Sequence, residues 1–139
     1  MKVRDAYIRK YRWQVRIYYA VTCYHSSQIL DYLCELNCPE NIYSRAEKHL
    51  LRGDLNTGFT FSNKRIRGSV MVVGLSSSPS EFLNSFEHEV RHLVDDIADA
   101  YDISHNGEEV AYLVGDINSL LWDDVHDFVC CTHKCKCYE

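Results

Sequence analysis

Between Ser80 and Tyr101 the chain contains no glycine or proline, and its apolar residues recur at spacings of three and four. Side chains at these spacings share one face of an α-helix. The preceding serines and Pro79 are helix start signals, because hydroxyls accept from free N–H groups and proline fits the first turn. The apolar residues are Phe82, Leu83, Phe86, Val90, Leu93, Val94, Ile97 and Ala98. The sequence therefore predicts a long helix with one face in the core.

This segment contains the string His88-Glu89-Val90-Arg91-His92. On a helix, an HExxH string places two imidazoles one turn apart on the same face, with a carboxylate beside them. Two neutral imidazoles are suitable ligands for Zn²⁺, and a neighbouring glutamate is suited to accept a proton from a zinc-activated water. We therefore expect His88 and His92 to bind Zn²⁺ and Glu89 to act as the general base of a zinc metallopeptidase.

A third metal ligand is expected from a following helix. The loop ending in Asn106-Gly107 precedes a segment that is predicted to be helical from Glu108 to about Trp122. Asn106 and Glu109 have the spacing of a capping box, which leaves Glu108 free to face the metal. Glu109 remains the alternative ligand. Both glutamates could instead interact only with the positive end of the helix dipole.

The two segments together resemble a known group of enzymes. HEVRH, followed by a helix that opens with Glu108-Glu109-Val110-Ala111, is similar to the gluzincin arrangement, in which a glutamate-bearing helix follows the HExxH helix. The Glu-x-x-Ala form of this second helix is similar to the second motif of minimal bacterial and phage-type zincins, including the ImmA/IrrE-like group. This resemblance implies a zincin-like fold, peptidase activity, and Glu108 rather than Glu109 as the third zinc ligand.

The rest of the chain predicts strands and helices that precede this site. A strand is expected near residues 12–21, helices over 26–36 and 41–51, the second of them ended by Gly53, and an antiparallel hairpin formed by residues 57–63 and 68–75. The basic residues of the first 16 positions are interpreted as an exposed strand face. The predicted fold class is α+β, with helices packed against a small antiparallel sheet. An edge strand of such a sheet could bind an extended peptide substrate.

Length and composition favour one domain, residues 1–128, followed by a cysteine-rich tail, residues 129–139. A chain of 139 residues can bury a sufficient core, and no linker divides it. The net charge of −5 argues against nucleic acid as the main partner, so the expected partner is a peptide or protein substrate. No segment has the ~20 apolar residues that cross a bilayer, and we expect a cytoplasmic protein.

Secondary roles are assigned to further residues. Asp96 or Asp99 could accept the second ring N–H of a ligand histidine. The candidates for stabilising the oxyanion are Tyr112, Tyr101, His105 and His126. In the tail, four cysteines and His133 within residues 130–137 could bind a soft metal, form disulfides or simply be mobile.

The alternative function is a catalytically inactive zincin-like module that recognises a partner protein, with a structural metal or none. Glu89 favours the enzyme, because a binding module does not need a carboxylate beside a metal.

Overall fold

The computed structural model describes residues 1–130, so most of the cysteine-rich tail lies outside the described residues. The described part contains four strands: β1 (Lys2–Ile8), β2 (Trp13–Val21), β3 (Gly58–Asn63) and β4 (Gly68–Gly74). It also contains five α-helices: α1 (Ser26–Glu35), α2 (Glu40–Arg52), α3 (Pro79–Ala100), α4 (Glu108–Leu120) and α5 (Trp122–Val129). The α+β fold class is confirmed.

The sheet is mixed, with the strand order β1-β2-β4-β3. The hairpins β1–β2 and β3–β4 are antiparallel, as expected for the second of them, but the central strands β2 and β4 are parallel. The prediction of a purely antiparallel sheet was therefore wrong. Two helices, α1 and α2, connect β2 to the second hairpin, and a crossover of this length allows the hairpin to return with β4 parallel to β2.

Strand β1 was not distinguished from β2 in the sequence pattern. It carries the charged residues Lys2, Arg4 and Asp5 and lies at one edge of the sheet, paired with β2 over its full length. Of the basic residues predicted to form one strand face, Lys2 and Arg4 lie on β1 and Arg16 lies on β2. Arg9, Lys10 and Arg12 lie in the connection between these strands.

Helices cover both faces of the sheet. Residues of β2 and β4 that point to one face, among them Ile17 and Met71, form a core with α3, α4 and α5. Residues that point to the other face, among them Tyr18 and Val72, form a second core with α1 and α2. Every residue of β4 is buried, which explains why this strand is a continuous apolar run rather than an alternating one.

Local signals set the main boundaries as expected. Ser78 caps α3 by accepting from the Glu81 N–H at 3.2 Å, and Pro79 occupies the first turn. Gly53 ends α2 in the left-handed conformation, with φ 68°. Gly58 begins β3 with φ 135°, and a Cβ atom there would lie 1.8 Å from the carbonyl oxygen of Val72. Only glycine therefore allows β3 to approach β4 so closely at this point.

The C-terminal helical segment differs from its prediction. Helix α4 begins at Glu108 as expected but ends at Leu120, and a separate helix α5 follows. No glycine or proline marks this break in the sequence. Within residues 1–130, none of the helices combines the length and apolar character that crossing a membrane requires.

Candidate metal site on helix α3

His88 and His92 converge on the exposed surface of α3. Their Nε2 atoms are 3.2 Å apart, and the ring planes are inclined at 76°. Two nitrogens bound to one tetrahedral Zn²⁺ at the usual distances lie about 3.3 Å apart. The same separation suits a hydrogen bond from a protonated ring nitrogen to an unprotonated one. The i, i+4 spacing thus brings two nitrogen donors to the separation that a shared metal ion requires.

Glu89 lies on a different side of the same helix, facing β3. Its side chain is 1% exposed, and its two carboxylate oxygens accept hydrogen bonds from the hydroxyls of Thr57 and Thr60, each at 2.9 Å. The carboxylate is therefore fixed in position between helix and strand. Each oxygen has a second lone-pair site, so a further donor, such as a water molecule, can still bind.

A chain of hydrogen bonds leads from the core to Asp96, two turns after Glu89. Trp13 Nε1 donates to Ser69 Oγ at 2.7 Å, the Ser69 and Ser62 hydroxyls are 2.6 Å apart, and Ser62 donates to Asp96 Oδ2 at 2.6 Å. Because indole can only donate, the chain runs toward the carboxylate. Burial raises the pKa of Asp96 above its usual value, against the lowering effects of the Ser62 hydrogen bond and of the Lys64 charge.

Asp99 pairs with His105 in the loop that follows α3. His105 Nε2 lies 2.7 Å from Asp99 Oδ1, and Nδ1 lies 3.2 Å from Asp95 Oδ1. This hydrogen bond to His105 lowers the pKa of Asp99, with Lys64 adding to the effect. Asp99 is thus engaged by a loop histidine rather than by the two histidines of the HExxH string.

Arg91 also contributes to this loop contact. It forms an ion pair with Asp95 at 3.1 Å and donates to the carbonyl of His105 at 3.2 Å. Glu87, one turn before Arg91, accepts from Asn118 Nδ2 of α4, at 3.5 Å.

This contact to α4 shows where Glu108 lies. Glu87 is about 100° around the helix axis from His88 and about 140° from His92, so α4 packs along a flank of α3 away from both histidines. Glu108, the first residue of α4, is exposed and lines a depression beside Tyr11 and Tyr101. The structure does not bring Glu108 to the histidine pair.

The described residues contain no group of three His, Cys, Asp or Glu side chains that could hold a metal ion. Of the three predicted metal ligands, only His88 and His92 come together.

Glu109 does not form the predicted capping box. The residue that caps α4 is Gly107, which has no side chain, and Glu109 accepts instead from the Tyr11 hydroxyl at 3.2 Å. Lys10 Nζ lies 3.8 Å from the same carboxylate oxygen. The capping box was wrong because the helix begins one residue later than the Asn106 cap requires.

The four oxyanion candidates lie in different places. Tyr112 is 68% exposed on α4, and the Tyr101 hydroxyl donates to the backbone carbonyl of Tyr11. His105 is held by Asp95 and Asp99, and His126 of α5 packs against Trp122 with ring centroids 5.6 Å apart. None of these contacts involves His88 or His92.

Sequence reasoning missed the threonines that hold Glu89. The alternation of β3 contained the signal, because Thr60 and Ser62 lie on the face opposite Phe59 and Phe61. A polar strand face packed against the HExxH helix needs polar partners there, and Glu89 and Asp96 are those partners.

Searches for similar proteins found no matching family model, no matching curated protein and no matching solved structure.

Proposed function

We propose that this protein is a zinc metallopeptidase in which His88 and His92 bind the metal and Glu89 is the general base. The observation that carries the proposal is the 3.2 Å approach of the two Nε2 atoms one residue from a buried, hydrogen-bonded carboxylate. Zn²⁺ bound by these nitrogens would lower the pKa of a water molecule and polarise a peptide carbonyl.

The role of Glu89 follows from how it is held. Thr57 and Thr60 fix the carboxylate, so it needs no reorganisation to accept a proton from water and deliver it to the leaving amine. The position of β3 supports a peptide substrate, since this strand forms one edge of the sheet and lies directly against α3. The position of α4 gives no support to the third-ligand role that the resemblance implies for Glu108.

The second candidate function is an inactive zincin-like module that binds a partner protein. One observation favours it: both Glu89 oxygens already have hydroxyl partners, as expected for a carboxylate with a purely structural role. The two functions differ in whether the protein cleaves peptides and whether this cleavage depends on a metal ion bound by the histidine pair.

The first test measures zinc per chain by elemental analysis, on protein purified without a metal-affinity tag. We expect about one zinc in the wild type, none in His88→Ala and an unchanged content in His105→Ala. His105 is the matched control, because it lies beside the same helix but is held by Asp95 and Asp99.

A chain ending at Cys130 tests whether the tail contributes. Zinc that remains in His88→Ala but is lost on truncation would assign the metal to the tail and remove the basis of the peptidase proposal. Zinc at the histidine pair without cleavage of any peptide in a mixed library would favour the inactive module.

A further inference from the structure

The two edges of the sheet differ in a way that points to a binding function. Exposed strand edges are usually protected by charges, proline or bulges, because their unpaired N–H and C=O groups otherwise pair with other chains. The edge strand β1 carries Lys2, Arg4 and Asp5. The other edge strand, β3, contains no charged residue and no proline, and all its residues are only half-buried.

Between β3 and α2 lies a cleft of about 340 Å³. This volume is within the range of about 300–1,000 Å³ that is typical of ligand sites. Its apolar lining includes Ile42, Leu55, Phe59 and Phe61. The cleft can therefore accept side chains of a segment that pairs with β3.

Arg45 supplies the charge of this cleft. Its side chain lines the cleft, is exposed, and forms no ion pair or hydrogen bond with the described residues. The only carboxylate that the described residues contribute to the lining, that of Asp54, is engaged by His49, whose Nδ1 atom lies 3.0 Å from Asp54 Oδ1. The cleft thus has one cation whose charge is not matched by a neighbouring carboxylate of residues 1–130.

The cleft and Glu89 are connected through β3. Thr57 and Thr60 line the cleft and also donate to Glu89. In an extended chain paired with β3, successive side chains would point alternately toward α2 and toward α3. A peptide could therefore place one side chain in the cleft and present the adjoining backbone to the side of Glu89.

We infer that the free edge of β3 and the α2 cleft bind an extended peptide whose carboxylate pairs with Arg45. This inference rests on the proposed function for its catalytic meaning, since it names the substrate class of that site. The carboxylate comes from an acidic side chain or from the end of the peptide chain.

The test uses labelled octapeptides and fluorescence anisotropy with the full, zinc-loaded chain. In the first series the C-terminus is amidated and a single Glu is placed at successive positions. The second series is also amidated but has Gln instead of Glu. The third series has Gln and a free C-terminal carboxylate. We expect the preferred carboxylate peptide to bind at least about ten-fold more tightly than its neutral match. The series that gains affinity identifies the source of the carboxylate.

Arg45→Gln should remove this preference, whereas Arg52→Gln should keep it. Arg52 is an exposed arginine on the same helix that does not line the cleft. N-methylation of alternate peptide amides should weaken binding if the peptide pairs with β3. Equal binding of charged and neutral peptides, or a preference that survives Arg45→Gln, would overturn the inference.

Cleavage of the same peptides separates this inference from the proposed function. Arg45-dependent binding without cleavage would support peptide binding in the cleft and contradict the proposed peptidase activity. Cleavage that is indifferent to the carboxylate and to Arg45→Gln would support the peptidase and contradict the cleft.

Discussion

Two carboxylates less than one turn apart on α3 have pKa values shifted in opposite directions. Asp96 faces β3, where burial raises its pKa, and it accepts from Ser62. Asp99 lies on the exposed surface, where the hydrogen bond to His105 lowers its pKa. We call these two regions the β3-facing side (Glu89 and Asp96) and the solvent-facing side (His88, Asp95 and Asp99) of the helix.

The residues of the HExxH string are divided between the buried and the exposed sides of α3. Glu89 belongs to the β3-facing side, where its partners are neutral hydroxyls, whereas His88 and His92 are exposed. A buried carboxylate held by two hydroxyls keeps a fixed geometry, while the two imidazoles are accessible to the solvent. The string therefore combines one fixed, buried carboxylate with two exposed nitrogen donors.

The largest effect is expected from Glu89→Gln on the β3-facing side. The amide can keep hydrogen bonds to Thr57 and Thr60 but cannot accept a proton, so peptide cleavage should fall by about 10²–10⁴-fold. Turnover of a fluorogenic peptide and zinc content should be measured on the same preparation. Zinc content should not change, and unchanged turnover would show that Glu89 has only a structural role.

A smaller effect is expected from Thr60→Val, which removes one hydroxyl from the buried carboxylate. Leaving a buried acceptor without its donor should lower the free energy of unfolding by about 1–3 kcal/mol, as measured by urea denaturation. Thr60→Ser keeps the hydroxyl and should retain most of the stability.

On the solvent-facing side, the matched change Lys64→Ala should leave the free energy of unfolding nearly unchanged. This change removes an exposed ion pair in which Lys64 Nζ lies 3.7 Å from Asp99 Oδ2, and exposed ion pairs contribute little to stability. Equal losses from Thr60→Val and Lys64→Ala would mean that the two sides of α3 do not differ as described.

Small, pH-dependent effects on the free energy of unfolding are expected from replacing the two aspartates, and their signs should be opposite. Asp99→Asn removes a carboxyl with a lowered pKa. The wild type should therefore be more stable than this variant above the ordinary pKa of aspartate, and this difference in the free energy of unfolding should disappear as the pH falls through the lowered pKa. Asp96→Asn removes a carboxyl with a raised pKa. The wild type should therefore lose stability relative to this variant as the pH rises from the ordinary pKa through the raised value.

Urea denaturation of the wild type and both variants between pH 3 and pH 7 checks these signs. If the stability difference from the wild type changed with pH in the same direction for both variants, this would contradict the opposite environments of Asp96 and Asp99.

Local sequence signals predicted much of the fold. Ser78 and Pro79 marked the start of α3, Gly53 ended α2, and the hairpin β3–β4 followed from its alternation. The parallel pairing of β2 with β4 could not be predicted, because it depends on how a hairpin distant in the chain docks. The break after Leu120 lacks a glycine or proline, so the pattern of spacing continued through it.

The candidate site was predictable to the same extent. The convergence of His88 and His92 follows from helical periodicity alone, so it could be derived from five residues. The bonds from Thr57 and Thr60 to Glu89 depend on the register of β3 against α3, and the position of Glu108 depends on the flank of α3 against which α4 packs. Neither the register of β3 nor the packing of α4 can be read from the spacing of residues within one segment.

The parallel contact between β2 and β4 has a consequence for the rate of folding. It joins residues 14–18 to residues 68–72, and closing a loop of this length costs roughly 3–4 kcal/mol of chain entropy. The two hairpins contain only local pairings, so they can form before this contact. The bonds of Thr57 and Thr60 to Glu89 lie within one hairpin–helix segment, so the arrangement around Glu89 can form without waiting for that slow closure.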